Sequence, residues 1–147
     1  MKIVIIDGQG GRIGSLLAAR IHREQIPNAK IYAIGTNTAA TAAMMKGGAD
    51  FGATGENPVL TACRDADFIL GPLGILSADS FLGEVTPAMA VAVGQSRARK
   101  LLLPVNRCNN HVIGVTDLTI TQLIEQTTET LLKMTDAAGG PSHGSCL

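Results

Sequence analysis

Apolar residues open the chain in a block: Ile3, Val4, Ile5 and Ile6 stand in unbroken succession before Asp7. Such a run reads as a central parallel strand, covered on both faces. After a stretch of glycines the period changes. Ile13, Leu16, Leu17 and Ile21 recur at helical spacing, with Arg20, Arg23 and Glu24 off that stripe. Pro27 and Asn28 end this helix. The alternation then repeats. Residues 30–34 form a second strand ending at Gly35, Thr36 and Asn37, and residues 38–46 an Ala- and Met-rich helix closed by Gly47 and Gly48. Residues 50–56 hold a short strand. Asn57-Pro58 has the form of a cap followed by proline, opening a short helix to about Arg64. Residues 67–70 make a strand that ends at Gly71-Pro72. Thr86-Pro87 repeats the cap-and-proline signal for a helix through Val93. Residues 101–105 form a strand and residues 111–115 another. Thr119 and Gln122 fit a capping box, and Ile120, Leu123, Ile124, Thr127 and Leu131 stripe the last helix.

Strands alternating with helices predict an α/β fold. The expected form is a doubly wound, mostly parallel sheet of five or six strands, helices on both faces, Rossmann-like, in a single domain. The expected boundaries are residues 1–134 for the domain and 135–147 for a disordered tail, where Gly139, Gly140, Pro141 and Ser142 cluster.

Composition narrows the partners. The chain has 147 residues, 46% apolar and 16% charged, and its formal net charge is zero. That length gives one domain with roughly 70% of its surface buried on folding. A neutral chain with no Trp and one Tyr has neither the basic face nor the stacking platform that nucleic acid needs. No apolar run is long enough to cross a membrane, and the first is too short for a secretory signal. Cys63, Cys108 and Cys146 form no CxxC or zinc pattern, so they read as reduced thiols in a cytoplasmic protein.

Candidate chemistry gathers at one edge. In parallel sheets ligands bind outside the carboxyl ends of the strands. That rule collects residues 7–14, 35–38, 71–74 and 106–110. The first is the most informative: Gly8, Gln9, Gly10, Gly11, Arg12, Ile13 and Gly14 follow a strand and open a helix. Glycines admit a ligand to the backbone, and the helix start favours an anion. Gly8, Gly11 and Gly14 are spaced GxxGxxG rather than GxGxxG. The bland alternative is a tight turn without ligand. Asp7 would hold that turn through backbone hydrogen bonds, or face a ligand hydroxyl or metal.

A dinucleotide site normally has an acid after the second strand to hold the ribose. Here that place reads Ile34-Gly35-Thr36-Asn37. The missing acid weakens NAD and leaves a phosphorylated ribose held by Thr36, Asn37 and Arg12, or a ligand that is not a dinucleotide. Thr36 and Asn37 also read as a plain helix cap. Gly71, Pro72 and Gly74 add a small-residue wall. Asn106 and Arg107 add the most polar strand end: Arg107 suits a carboxylate or phosphate, and Cys108 is either a nucleophile or a half-buried thiol. Glu56, Asp79 and Glu84 lie in loops that fold toward this edge, and spacing does not choose a general base among them. P-loop, HExxH and GxSxG motifs are absent.

The loop Gly8-Gln-Gly-Gly-Arg-Ile-Gly14 resembles the GxxGRMG loop of dihydrodipicolinate reductases, which binds a reduced nicotinamide cofactor with the Arg near its phosphates. The resemblance stops at the loop, because the catalytic His-His-Lys region has no counterpart. Over residues 1–134 the chain resembles an uncharacterised family of short bacterial, clostridial-type Rossmann-like proteins, a domain of unknown function. The segments that carry this likeness are Ile6-Asp-Gly-Gln-Gly-Gly-Arg-Ile-Gly14, Gly35-Thr-Asn37, Gly52-Ala-Thr-Gly-Glu-Asn57, Gly71-Pro-Leu-Gly-Ile75, Gly83-Glu-Val-Thr-Pro87 and Asn106-Arg-Cys-Asn109. The resemblance implies fold and setting and assigns no activity.

The sequence thus predicts a nucleotide- or dinucleotide-binding protein. NADP or another nucleotide is the expected cofactor, a small phosphorylated molecule the partner, and a homodimer the possible assembly. Two alternatives stay open: a small NADP-dependent oxidoreductase or oxidoreductase subunit, and a non-catalytic homo-oligomeric or regulatory module.

Overall fold

The computed structural model describes residues 1–105 and 109–136. Its element order is β1 (Lys2–Asp7), α1 (Arg12–Glu24), β2 (Lys30–Gly35), α2 (Thr38–Gly47), β3 (Phe51–Thr54), α3 (Glu56–Ala62), β4 (Phe68–Pro72), α4 (Pro87–Gln95), β5 (Arg99–Leu103) and α5 (Ile120–Asp136). A single 3₁₀ turn, Leu73–Leu76, follows β4. The sheet is parallel throughout, in the order β3-β2-β1-β4-β5. The expected doubly wound α/β architecture is therefore the fold.

The opening apolar run explains itself in this frame. Successive strand residues face opposite sides. Ile3 and Ile5 join Leu17, Met44, Ile124 and Leu131 under the α1, α2 and α5 layer. Val4 and Ile6 join Val59, Ile69, Met89 and Val93 under α3 and α4. All four β1 positions are essentially inaccessible, so β1 is the strand on which both layers rest.

Several helix ends form as expected. Asn37 caps α2 by accepting from the Ala40 amide at 2.9 Å. Thr86 caps α4, with Pro87 in the first turn. The Thr119–Gln122 box closes reciprocally: the Thr119 amide donates to Gln122 Oε1 at 2.9 Å and the Gln122 amide to Thr119 Oγ1 at 3.2 Å.

Other boundaries move for local reasons. Residues 111–115 form no strand: His111 and Ile113 are exposed and Gly114 turns the chain at φ +85°. β5 begins at Arg99 and stops at Leu103, because Pro104 offers no amide to continue the ladder. The cap of α3 is Gly55, so Asn57-Pro58 lies inside the first turn, where proline is tolerated. α5 continues to Asp136, two residues past the expected domain end. The expected tail beyond it lies outside the described residues. No helix among the described residues is long and apolar enough to cross a membrane.

Gly11 brings α1 close to α2. Gly11 sits at φ +68°, and a Cβ there would lie 2.6 Å from the Ala40 Cα. Backbone cannot retreat as a flexible side chain does. Gly11→Ala should therefore lower the urea-unfolding free energy by about 2–4 kcal/mol, from overpacking plus left-handed strain. Gly10 faces open space, so Gly10→Ala should stay within about 0.5 kcal/mol of wild type. Equal losses in the two variants would contradict this account.

Candidate functional site

The strand order reverses between β1 and β4. In this class of sheet that switch point is where ligands bind, and the β1–α1 turn stands beside it. The turn is organised by one carboxylate. Asp7, 4% exposed, accepts from its neighbour Gly8 through Oδ1 at 2.8 Å and from Gly14 through Oδ2 at 2.7 Å. Gly14 is in the first turn of α1, whose cap, Gly11, has no side chain to offer. Asp7 thus does for α1, from the end of the strand, what an N-cap side chain does elsewhere. Gly11 donates to the Gly8 carbonyl at 2.9 Å and completes the turn.

A second carboxylate arrives from the far side of the switch point. Glu84 lies in the segment 77–86 between the 3₁₀ turn and α4. Its Oε2 accepts from the Gln9 amide at 2.8 Å, the Thr36 hydroxyl at 2.5 Å and the Asn37 side-chain amide at 2.9 Å. Asn37 Nδ2 also donates to the Gln9 carbonyl at 2.8 Å. One oxygen therefore ties the glycine loop, the end of β2 and the cap of α2 together. Phe81, 5% exposed, roofs Gly8: a Cβ at Gly8 would lie 2.8 Å from the Phe81 ring and 2.7 Å from Glu84 Oε2.

The segment that delivers these groups is strained. Asp79, Phe81 and Leu82 all have left-handed φ, between +57° and +65°, a conformation that costs non-glycine residues about 1–2 kcal/mol apiece. Leu82 is 99% exposed, and the Ser80 hydroxyl is buried with no hydrogen-bond partner.

Of the anticipated site residues, Gly8, Gln9, Gly10, Gly11, Arg12, Ile13, Gly14, Thr36 and Asn37 come together around Asp7 and Glu84. Gly10 and Arg12 are exposed, while Gly8, Gly11 and Gly14 are buried. Arg12 makes no salt bridge among the described residues. Gly71, Pro72 and Gly74 are buried at and just beyond the end of β4, and a side chain at Gly71 would collide with the Ile6 carbonyl. Asn106 and Arg107, with Cys108, lie outside the described residues. Glu56 accepts from the Thr86 hydroxyl at 2.5 Å and so braces α3 against α4. Among the three loop acids the structure singles out Glu84. Only the pattern Gly83-Glu84-Val85-Thr86-Pro87 could have marked it in sequence, and that pattern gives no distance to the glycine loop.

Away from this centre, a cavity of about 320 Å³ opens at the edge strand, lined in part by Leu101, Leu103, Pro104, Leu118 and Leu123. β4 separates it from β1. Among the described residues no cluster of His, Cys, Asp or Glu could hold a metal ion. Burial pushes the Cys63 thiol up to about 11, which leaves it protonated and unreactive at neutral pH.

Residues 2–136 match a family described as Domain of unknown function (DUF3842). The chain belongs to this family. No curated protein matches this DUF3842 chain. One similar solved structure is the dodecameric FMN-dependent Ubix-like Decarboxylase from Escherichia coli O157:H7. It matches over 100% of both chains at 12% identity, with a TM-score of 0.45. At that level the likeness carries no argument about ligand, reaction or assembly for the DUF3842 chain, whose fold is read from its own sheet order.

The two carboxylates titrate in opposite senses. Burial raises the Asp7 pKa above 3.8, opposed by the Gly14 and Gly8 amides and reinforced by Glu84. Its linked stability is present at acid pH and lost as pH rises through the raised value. Burial also pushes the Glu84 carboxyl upward, but the hydrogen bonds from Thr36, Gln9 and Asn37 together hold it below 4.5. Its stabilisation is present above that value and lost as pH falls through the lowered one. Glu84→Gln should therefore lower Tm at about pH 7, with the gap to wild type narrowing on acidification below 4.5. A gap that stays constant from neutral pH down to about pH 3 would refute this role for the carboxylate.

Proposed function

We propose that this protein binds a nucleotide-class ligand at the β1/β4 switch point, with its phosphate against the exposed turn at Gly10 and Arg12. The observation that carries the reading is the placement of a strand–glycine–helix turn at the topological switch of a parallel five-stranded sheet.

The residues present fit part of the usual arrangement and revise the rest. The Gly8 and Gly14 amides already serve Asp7, and the Gln9 amide serves Glu84. A phosphate laid over the whole loop from Gly8 to Gly14 would displace those bonds and face two carboxylates. The exposed part of the turn is different. Gly10 leaves open space above the backbone, and Arg12 brings the positive charge a phosphate needs. The buried free thiol of Cys63 fits a reducing cytosolic setting. The chain's role is then to hold the ligand's phosphate at Gly10 and Arg12 and to exclude water under Phe81.

A thermal-shift series tests the reading. At millimolar concentration AMP, ADP or NAD should raise Tm by several degrees, equivalent to about 1–3 kcal/mol if Kd is tens of micromolar. Arg12→Ala should weaken a phosphorylated ligand about tenfold and leave adenosine unaffected. No stabilisation by any member of a panel that also includes NADP, ATP, FAD and S-adenosylmethionine would sink the proposal.

A further inference from the structure

We propose that Glu84 is the ribose-reading acid of this site, supplied by a loop instead of by the second strand, and that it selects a ribose whose 2′- and 3′-hydroxyls are both free. The inference rests on the nucleotide reading above and deepens it.

An acid after β2 is what a dinucleotide site uses to accept from the ribose hydroxyls. Its absence after Ile34 favours a phosphorylated ribose on sequence grounds. Space reverses that argument. Glu84 Oε2 lies 2.5 Å from Thr36 Oγ1 and 2.9 Å from Asn37 Nδ2, so a carboxylate does stand at the end of β2. It comes from a residue 48 positions away from Thr36. Among the described residues all of its hydrogen bonds fall on Oε2, and Oε1 is the oxygen we assign to the ligand. The same three donors hold the group ionised. An ionised carboxylate accepts from hydroxyls and repels a phosphate. The buried, unpartnered hydroxyl of Ser80 lies in the same loop, one residue before the Phe81 roof.

The neighbouring charges agree with a neutral diol at this point. The second carboxylate, Asp7, faces the same centre and couples to Glu84. The one cation of the turn, Arg12, starts α1 on the phosphate side.

Calorimetric titration of the full chain with three probes decides the matter: 5′-AMP, its 2′-deoxy analogue, and adenosine 2′,5′-bisphosphate. 5′-AMP should bind about tenfold tighter than the deoxy analogue, the value of one charge-assisted hydrogen bond. It should bind at least about tenfold tighter than the bisphosphate, through like-charge repulsion. In Glu84→Gln the preference over the bisphosphate should collapse to within about threefold, because the repelling charge is gone. Thr36→Val, which keeps the carboxylate and deletes one of its anchors, should retain a preference over the bisphosphate. Equal wild-type affinity for 5′-AMP and the bisphosphate would overturn the inference while leaving the nucleotide reading intact. An unchanged ratio in Glu84→Gln would do the same. Failure of all three probes to bind would overturn the inference, and the nucleotide reading falls with it only if the wider thermal-shift panel fails as well. The wild-type ratio needs no variant to fold.

Discussion

A buried carboxylate between two backbone amides fixes the geometry on which everything else here depends. Asp7 ends the central strand and reaches across the turn to the first turn of α1. It sets where α1 starts. α1 in turn seats α2 through Gly11 on Ala40, and Gly14 under Met44. The arrangement spends burial energy on an ionisable group, which shows as a raised pKa. It is retained because removing the acceptor would strand amides that have no access to water. The helix start, where a rigid anion site would be expected, is thereby largely occupied from within.

Glu84 extends the same logic outward. Its one oxygen is shared by a backbone amide, a hydroxyl and a side-chain amide. These bonds, with the burial of Phe81, hold down a segment that has three left-handed non-glycine residues and an unsatisfied serine. Favourable and unfavourable contributions are thus concentrated in a few residues around the switch point, while the central strands below carry the buried apolar runs at residues 3–6 and 68–70.

The fold was legible because its signals are local and periodic. The run from Ile3 to Ile6, the stripe from Ile13 to Ile21 and the caps at Asn37 and Thr86 each depend on neighbours within a turn or two. Composition misleads where a local turn overrides it. Residues 111–115 are strand-like in composition, but His111 and Ile113 are exposed and Gly114 turns the chain. The proline at 104 was decisive for the end of β5, yet a branched residue follows it and masks the stop. The site was legible only in outline. The glycine loop and the Thr36-Asn37 corner announce themselves by composition. The acid that joins them does not, because hydrogen bonding across 75 positions between Gln9 and Glu84 leaves no periodic trace. An acid sought only at the position after the second strand is missed when, as with Glu84, it reaches that place from a distant loop.

The roof over Gly8 has a kinetic meaning. Phe81 and Glu84 cover that glycine in the structure, so a ligand that is to touch its backbone has to wait for the segment to lift. For such a ligand association would be limited by an opening step and not by diffusion, and contacts that re-formed over it would lengthen its residence. The exposed turn at Gly10 and Arg12 lies outside that cover, so a group held there alone would exchange freely.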